Sequence, residues 1–248
     1  LMGAFPHKKF VLIWRKKEMP LTKKVRSWLG LYKQISVVDV MKAEKTALDK
    51  ENLKRIIKEL ISFKPQIIRG YVSALWVISK FLKKYNLRLK PEHIIASAEY
   101  LPPVWWEELE ESFQCPVHNL YGGSEASPIA TSLGREKELM VFSDFYFVEI
   151  VNQNGAWLKE KQTGRILVTD YYNYYMPLIR YEIGDIAQWS SRTPSPFPFF
   201  KEVQGRINDV FVLPRGKILF SHNWHIYFRN LKSITKFKVI QRDVKPDN

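Results

Sequence analysis

The chain has a single cysteine, Cys115, so it holds no internal disulfide and no cysteine metal cluster. That usage fits a reducing cytoplasm. Cys115 lies beside Phe113 and Pro116 and reads as a small core residue. Nowhere do about 18 apolar residues run together, as a membrane-spanning helix requires. The opening Leu1-Met2-Gly3-Ala4-Phe5-Pro6 is too soon interrupted by Lys8 and Lys9 to be a secretory leader. Internal repeats and low-complexity tracts are absent. The five histidines are scattered; His222 and His225 stand three apart, but no other ligand type clusters beside them, so no zinc is expected.

Acidic residues are scarce early on. Residues 1–90 hold 22 Lys+Arg against 6 Asp+Glu, whereas the remaining 158 hold 17 against 19. The net charge of +14 is therefore localised. A basic half can face nucleic acid or an acidic membrane surface. Here many lysines alternate with apolar residues, as in residues 50–58, which reads as a solvated helix face. No nucleic-acid motif accompanies the charge, so nucleic acid is not an expected partner.

A chain of 248 residues holds one large domain, or one domain and part of another. Phe10 to Trp14 is short, apolar and followed by charge, which predicts a buried strand. Residues 20–48 show no clean period and are expected to be loop with short helices. Leu53, Ile56, Ile57, Leu60 and Ile61 recur at helical spacing, predicting a helix over 49–63 that Pro65 stops. Strands are expected at 66–69, 93–97 and 117–120, with helices at 73–84 and 105–113 between them. That alternation predicts an α/β sheet with parallel strands. After Tyr121 the pattern turns to β: strands at 145–151, 164–169 and 181–189, with a turn at Asn152 to Gly155. Beyond Gly205 short strands, one helix at 225–231 and a strand at 237–241 are expected.

The most informative stretch is Tyr121-Gly122-Gly123-Ser124-Glu125. A ring can stack on a base, and glycines let the backbone approach a phosphate. A serine can bond a phosphate oxygen, and a glutamate suits Mg²⁺, which prefers oxygen ligands. A plain tight turn has the same composition. Further on stand Met176-Pro177-Leu178-Ile179-Arg180-Tyr181-Glu182-Ile183-Gly184-Asp185 and Gly205-Arg206-Ile207-Asn208-Asp209. The aspartate of Gly184-Asp185 offers two acceptors for the two hydroxyls of a ribose, although Gly-Asp is also a hairpin-turn pair. Arg180 reads as a support of the fold. Trp105, Trp106 and the run Tyr171 to Tyr175 read as core or interface aromatics before an aromatic substrate cage.

Together these three segments resemble core motifs of the adenylate-forming superfamily, the acyl- and aryl-CoA ligases and their relatives. Met176 to Tyr181 resembles the phenylacetate–CoA ligase branch, which includes coenzyme F-390 synthetases and proteins linked to capsular polysaccharide synthesis. The resemblance runs from about Leu53 to the C-terminus. It implies a partial large adenylation domain over 1–207, a parallel α/β sheet plus an antiparallel β region, followed by the start of a small α+β domain over 208–248. It implies that Ala98 and Glu99 border the adenine, that Tyr121 stacks on it, and that Gly122 and Gly123 shape the loop. Ser124 and Glu125 would face the α-phosphate and its Mg²⁺ as the catalytic pair, Asp185 the ribose and Arg206 the nucleotide. Asn208, with Asp209 next, matches the hinge of the small domain. Many relatives carry a cysteine cluster before the Gly-Arg motif; Pro194 to Pro198 stand there instead.

Two expected parts are missing from the 248 residues: a Gly/Ser/Thr-rich phosphate loop and a lysine late in the small domain. The expectation is thus a piece of a longer protein, inactive by itself. The implied partners are ATP, a small carboxylic acid and a thiol, with coenzyme A the expected acceptor. The implied reaction is ATP-dependent, AMP-forming activation of the acid and its transfer to the thiol. The alternatives are an adenylyltransferase that makes no thioester and a non-catalytic capsule-associated homologue. The acid itself and the oligomeric state are not written in the motifs.

Overall fold

The structure is a computed structural model that describes residues 7–15, 19–41, 47–133, 136–191, 196–206, 210–212, 218–220 and 239–241. The chain forms two compact units, Leu1–Gly122 with Thr131–Lys137, and Gly123–Ala130 with Glu138–Asn248.

The first unit runs β1 (Phe10–Trp14), α1 (Leu21–Trp28), β2 (Tyr32–Ser36), α2 (Val37–Met41), α3 (Ala47–Phe63), β3 (Ile67–Tyr71), α4 (Val72–Lys84), β4 (His93–Ser97), α5 (Pro103–Phe113) and β5 (Val117–Tyr121). Its strands lie in the order β2-β1-β3-β4-β5, all pairings parallel. The inner strands β1, β3 and β4 are largely apolar on both faces because both are covered. Val11, Ile13, Ile68, Ile94 and Val117 join one large cluster with Ile57 and Leu60 of α3, Leu75 and Ile78 of α4, and Leu109 and Phe113 of α5. The alternate residues Phe10, Ile67, Ile95 and Leu120 form a smaller cluster with Tyr32. Period-two alternation along each strand thus separates the two packing layers. Helix α5 starts with Pro103 in its first turn and ends at Gln114 in the left-handed region, φ +51°.

β6 (Ala130–Ser132) follows the loop after β5, and its Ser132 hydroxyl accepts the Asn119 amide at 2.9 Å. The second unit holds β7 (Leu139–Val141), β8 (Tyr146–Val151), β9 (Thr163–Asp170), β10 (Tyr181–Trp189) and β11 (Phe199–Arg206), in the order β7-β11-β10-β9-β8. The β8/β9, β9/β10, β10/β11 and β11/β7 pairings are antiparallel. Asn152 closes the β8–β9 connection: its Oδ1 accepts the amides of Asn154 and Ala156 at 2.9 and 3.0 Å. A separate antiparallel pair joins β12 (Val210–Val212) to β13 (Ile218–Phe220).

The expected parallel α/β sheet and antiparallel β region are both present. Residues 20–48 hold more order than expected. Tyr32–Ser36 is a strand at the edge of the sheet, and its Lys33 and Gln34 hide the alternation that would reveal it. Strands β6, β7 and β11 were likewise not expected. β11 breaks alternation because its register against β10 shifts twice. Of the strand expected at 237–241, Val239 to Gln241 lie among the described residues and are not in strand. The helix expected at 225–231 and the boundary at 207/208 fall outside the described residues.

Candidate functional site

Strands β4 and β5 are parallel neighbours, with Ser97 opposite Leu120, so their C-terminal ends lie side by side. Ligands of open α/β sheets bind beyond such ends. Ala98 follows β4 at once and takes φ +69°. A residue with a Cβ rarely occupies that region, and such outliers gather at functional sites. Glu99 follows it, exposed. Its carboxylate accepts the Ser73 amide at 2.6 Å and the Ser73 hydroxyl at 2.9 Å. Ser73 is in the first turn of α4, which has no cap from its own side chains. Glu99 therefore caps α4 from across the sheet end, where a negative charge also suits the helix dipole. Tyr121 is the last residue of β5 and is half-buried.

In the second unit the rest of the motif forms a tight loop. The Gly123 amide donates to the Ala126 carbonyl at 2.8 Å. A Cβ on Gly123 would stand 2.9 Å from Glu125 Oε2 and 3.2 Å from Ile183 Cδ1. Only glycine leaves the Glu125 carboxylate where it is. Ser124 and Glu125 are exposed, and Ala126 beneath them is buried. No hydrogen bond or ion pair engages the Glu125 carboxylate among the described residues. Glu125 thus offers one exposed carboxylate; among the described residues no three His, Cys, Asp or Glu side chains gather as a metal-ligand group.

Gly184 and Asp185 lie within β10 and not in a hairpin turn. The β9–β10 register shifts between Glu182 and Ile186, and Gly184 takes φ +84° in that irregularity. Bulges re-aim side chains. Asp185, half-buried, faces Arg206 across the β10–β11 pair. The backbone therefore brings two of the expected site residues into register; for Arg206 only the backbone is described. Two arginine–carboxylate pairs fix β10 before this point. Arg165 bonds Glu182 at 2.7 Å and also the carbonyls of Asn152 and Gln153. Arg180, at φ +50°, bonds Glu149 through Nε at 3.1 Å, and its amide reaches Thr169 Oγ1 at 3.0 Å. Arg180 is thus a support of the fold, as expected.

Sequence reasoning passed over Glu149. It is 3% exposed, accepts Trp157 Nε1 at 2.6 Å as well as Arg180, and is the charged residue of β8. The signal was there: a carboxylate inside an apolar strand requires a partner. Trp106 is in the core and Trp105 stacks on Trp76 at 4.6 Å, as expected. Tyr172, Tyr174 and Tyr175 are exposed and do not belong to the core of the described structure. Asn208 and Asp209 lie outside the described residues.

At the N-terminal ends of the same strands, His93 Nδ1 and His118 Nε2 stand 3.1 Å apart. Burial, then the neighbouring His93, hold His118 below its usual range. Burial pushes the Cys115 thiol up to about 12.

No protein-family profile matches the chain. It is similar to protein CapK of Staphylococcus aureus, 28% identical over 251 aligned residues. The alignment takes in 98% of this chain and 51% of CapK, so the chain spans about half the length of the curated relative it matches. Among solved structures it is similar to 2-hydroxyisobutyryl-CoA ligase in the postadenylation state with 2-HIB-AMP. There the TM-score is 0.67 at 16% identity, covering 88% of this chain and 48% of that one. The McyG A-PCP structure with phenylalanyl-adenylate gives 0.61 at 15% identity, covering 92% and 45%. The chain has the fold of the adenylate-forming superfamily, that of the acyl- and aryl-CoA ligases.

Proposed function

We propose that the chain supplies part of an ATP-dependent, AMP-forming ligase that activates a carboxylic acid and passes it to a thiol. The acid's carboxylate oxygen attacks the α-phosphorus of ATP; pyrophosphate leaves and an acyl-adenylate forms. A thiol, lost of its proton, then attacks the acyl carbon, the C–O bond to AMP breaks, and a thioester remains. The observation that carries the reading is the placement of Tyr121 to Glu125. The motif starts on the last residue of parallel strand β5, where this fold class binds ligands. In this reading Tyr121 presents a ring to the adenine beside Ala98 and Glu99. Gly123 keeps the loop close enough for Ser124 and Glu125 to face the α-phosphate, and Asp185 accepts hydrogen bonds from the ribose. Mg²⁺ held by Glu125 would offset negative charge on the phosphates when bound. Catalysis is then positioning and charge stabilisation.

Glu99 has a second occupation as the cap of α4, so its part at the adenine is the border of the pocket and not a ligand contact. The relatives support the class: the 2-hydroxyisobutyryl-CoA ligase structure in the thioesterification state holds 2-HIB-AMP and CoA, with a TM-score of 0.63. The similarity to CapK favours the capsule-associated branch for the protein as a whole. That branch includes the alternative of a homologue without turnover.

ATP–pyrophosphate exchange at the full length of the protein tests the reading. Glu125→Ala should lower exchange by about a hundredfold or more while circular dichroism stays unchanged. Exchange at the wild-type rate in that variant, or no exchange by the wild type with any carboxylic acid, overturns it. AMP release that depends on coenzyme A then separates the ligase from a plain adenylyltransferase.

A further inference from the structure

The segment Met176 to Asp185 contains a glutamate that the proposed chemistry does not use. Glu182 stands at the near end of the irregularity in β10 that carries Gly184 and Asp185. There β10 has three residues, Ile183 to Asp185, where β9 has one, Ile166: Glu182 pairs with Leu167, and Ile186 with Arg165. Such an insertion bends the strand and leaves its extra residues without ladder partners on that side. Gly184 makes the bend at φ +84°, a region open to glycine.

Arg165 holds both ends of this bulge. Its backbone pairs with Ile186 at the far end, and its Nη1 donates to a Glu182 carboxylate oxygen at 2.7 Å at the near end. The guanidinium is itself fixed. Its Nη2 donates to the carbonyls of Asn152 and Gln153 at 3.0 and 3.1 Å, in the turn that Asn152 Oδ1 closes. A planar fork that serves a carboxylate and two carbonyls at once keeps little rotational freedom. Across the other side of β10, Asp185 is in register with Arg206. The contacts therefore run from the β8–β9 turn through Arg165 and Glu182 to the bulge, all within the second unit.

Stability is a weak reason for the pair. The Arg165 and Glu182 side chains are 25% and 41% exposed, and ion pairs so open to water add little to folding. The Arg180–Glu149 pair differs, since it answers a buried carboxylate. A fixed bulge matters where the aim of a side chain matters: misplacing a binding group by about 1 Å can cost about a hundredfold in rate.

We propose that Arg165 and Glu182 are positioning residues for Asp185, clamping the β10 bulge so that the Asp185 carboxylate meets the ribose of ATP at a fixed angle. The inference rests on the ribose reading of Asp185 given above. In it neither side chain touches the nucleotide; both act through the backbone of Ile183 to Asp185.

The test takes Glu182→Ala, alone and with Asp185→Ala, at the full length of the protein. Amides of residues 181–186 should exchange with solvent faster in Glu182→Ala, with the melting temperature almost unchanged. The KM for ATP should rise about tenfold, and the KM for the acid should stay as it is. Glu182→Gln, which still accepts a hydrogen bond from Arg165, should show a smaller rise. In the double variant the two effects on the KM for ATP should not add, because the clamp acts only through Asp185. Unchanged amide exchange in Glu182→Ala overturns the proposal. So does additivity in the double variant, which would give Glu182 a part of its own. A KM for ATP that rises with Asp185→Ala but not with Glu182→Ala overturns it and leaves the ribose reading standing. A KM for ATP that neither substitution moves removes the ribose reading, and this proposal with it.

Discussion

Glu149 and Arg180 form an ion pair in which one member is buried and the other is not: the carboxylate is 3% exposed and the arginine side chain 51%. The cost of desolvation falls on Glu149, and Arg180 brings the compensating charge from the surface. Arg180→Ala would leave Glu149 buried with Trp157 alone and should cost about 2–3 kcal/mol. Glu149→Gln keeps an acceptor for Trp157 and removes the orphan charge, so it should cost less. Urea unfolding of both variants checks the order; an Arg180→Ala cost inside the surface-substitution range of about 0.5 kcal/mol would refute it.

Gly123→Ala should act on Glu125 without touching it. The new Cβ meets Glu125 Oε2 at 2.9 Å and Ile183 Cδ1 at 3.2 Å, so the carboxylate must swing away. At the full length of the protein, the expected outcome is a rise in the Mg²⁺ concentration needed for half-maximal exchange, with stability lowered by no more than about 1–3 kcal/mol. An unchanged Mg²⁺ requirement would detach Glu125 from the metal.

Asp185→Ala should raise the KM for ATP and spare the KM for the acid. Two lost hydrogen bonds to a charged acceptor are worth about 1.5–3 kcal/mol each. Equal rises in both constants would mean that the bulge in β10 had collapsed and that Asp185 holds the strand instead of the ribose.

Acid should weaken the first unit through His118. Burial and then His93 favour its neutral form in the folded state, below the usual 6.5; the Ser132 backbone and Glu110 act the other way. An unfolded chain therefore binds a proton that the folded one does not. The stabilising contribution is complete above about pH 6.5 and is lost as pH falls from there through the lower folded value. Stability measured from pH 8 to 5 should be flat at first and then decline, and His118→Gln should shrink that decline. His93 Nδ1 stands 3.1 Å from His118 Nε2, so His93→Gln belongs in the same series.

Cys115 should be inert. Its thiol is pushed up to about 12, chiefly by burial, so almost no thiolate is present near neutrality. Iodoacetamide at pH 8 should label it slowly in the native protein and fast in urea. Rapid native labelling would show that the β4–β5 end of the sheet opens.

Most of the architecture could be read from the residues because its period is plain. Ile67 to Tyr71 and His93 to Ser97 are short apolar runs between helical stretches, and they became β3 and β4. The helix expected over 49–63 became Ala47–Phe63. Reading failed where pairing, not composition, makes the strand. Phe199 to Arg206 has no steady alternation because its partner strand is bulged, and the three-residue strands β6 and β7 are too short to show a period. At the site, residue types were legible and occupations were not. Glu99 looked like a pocket residue or a surface acid, and nothing local announces that it caps α4 from 26 positions away. The Glu149–Arg180 pair spans 31 positions and was hidden for the same reason.

The polar edge strand has a consequence for the life of the protein in a crowded cell. β2 ends the row of strands, so among the described residues one side of its backbone has no neighbouring strand in the sheet. An open edge is a template on which another chain can add a strand and begin a fibre. Lys33 and Gln34, the residues that obscured β2 in the sequence, make that edge a poor seed: a strand arriving in register would have to desolvate a lysine that already serves Glu59 at 2.8 Å. A change such as Lys33→Val would make the strand easy to recognise on paper and the protein prone to precipitate. Legibility and solubility pull in opposite directions at this position, and the chain carries the soluble choice.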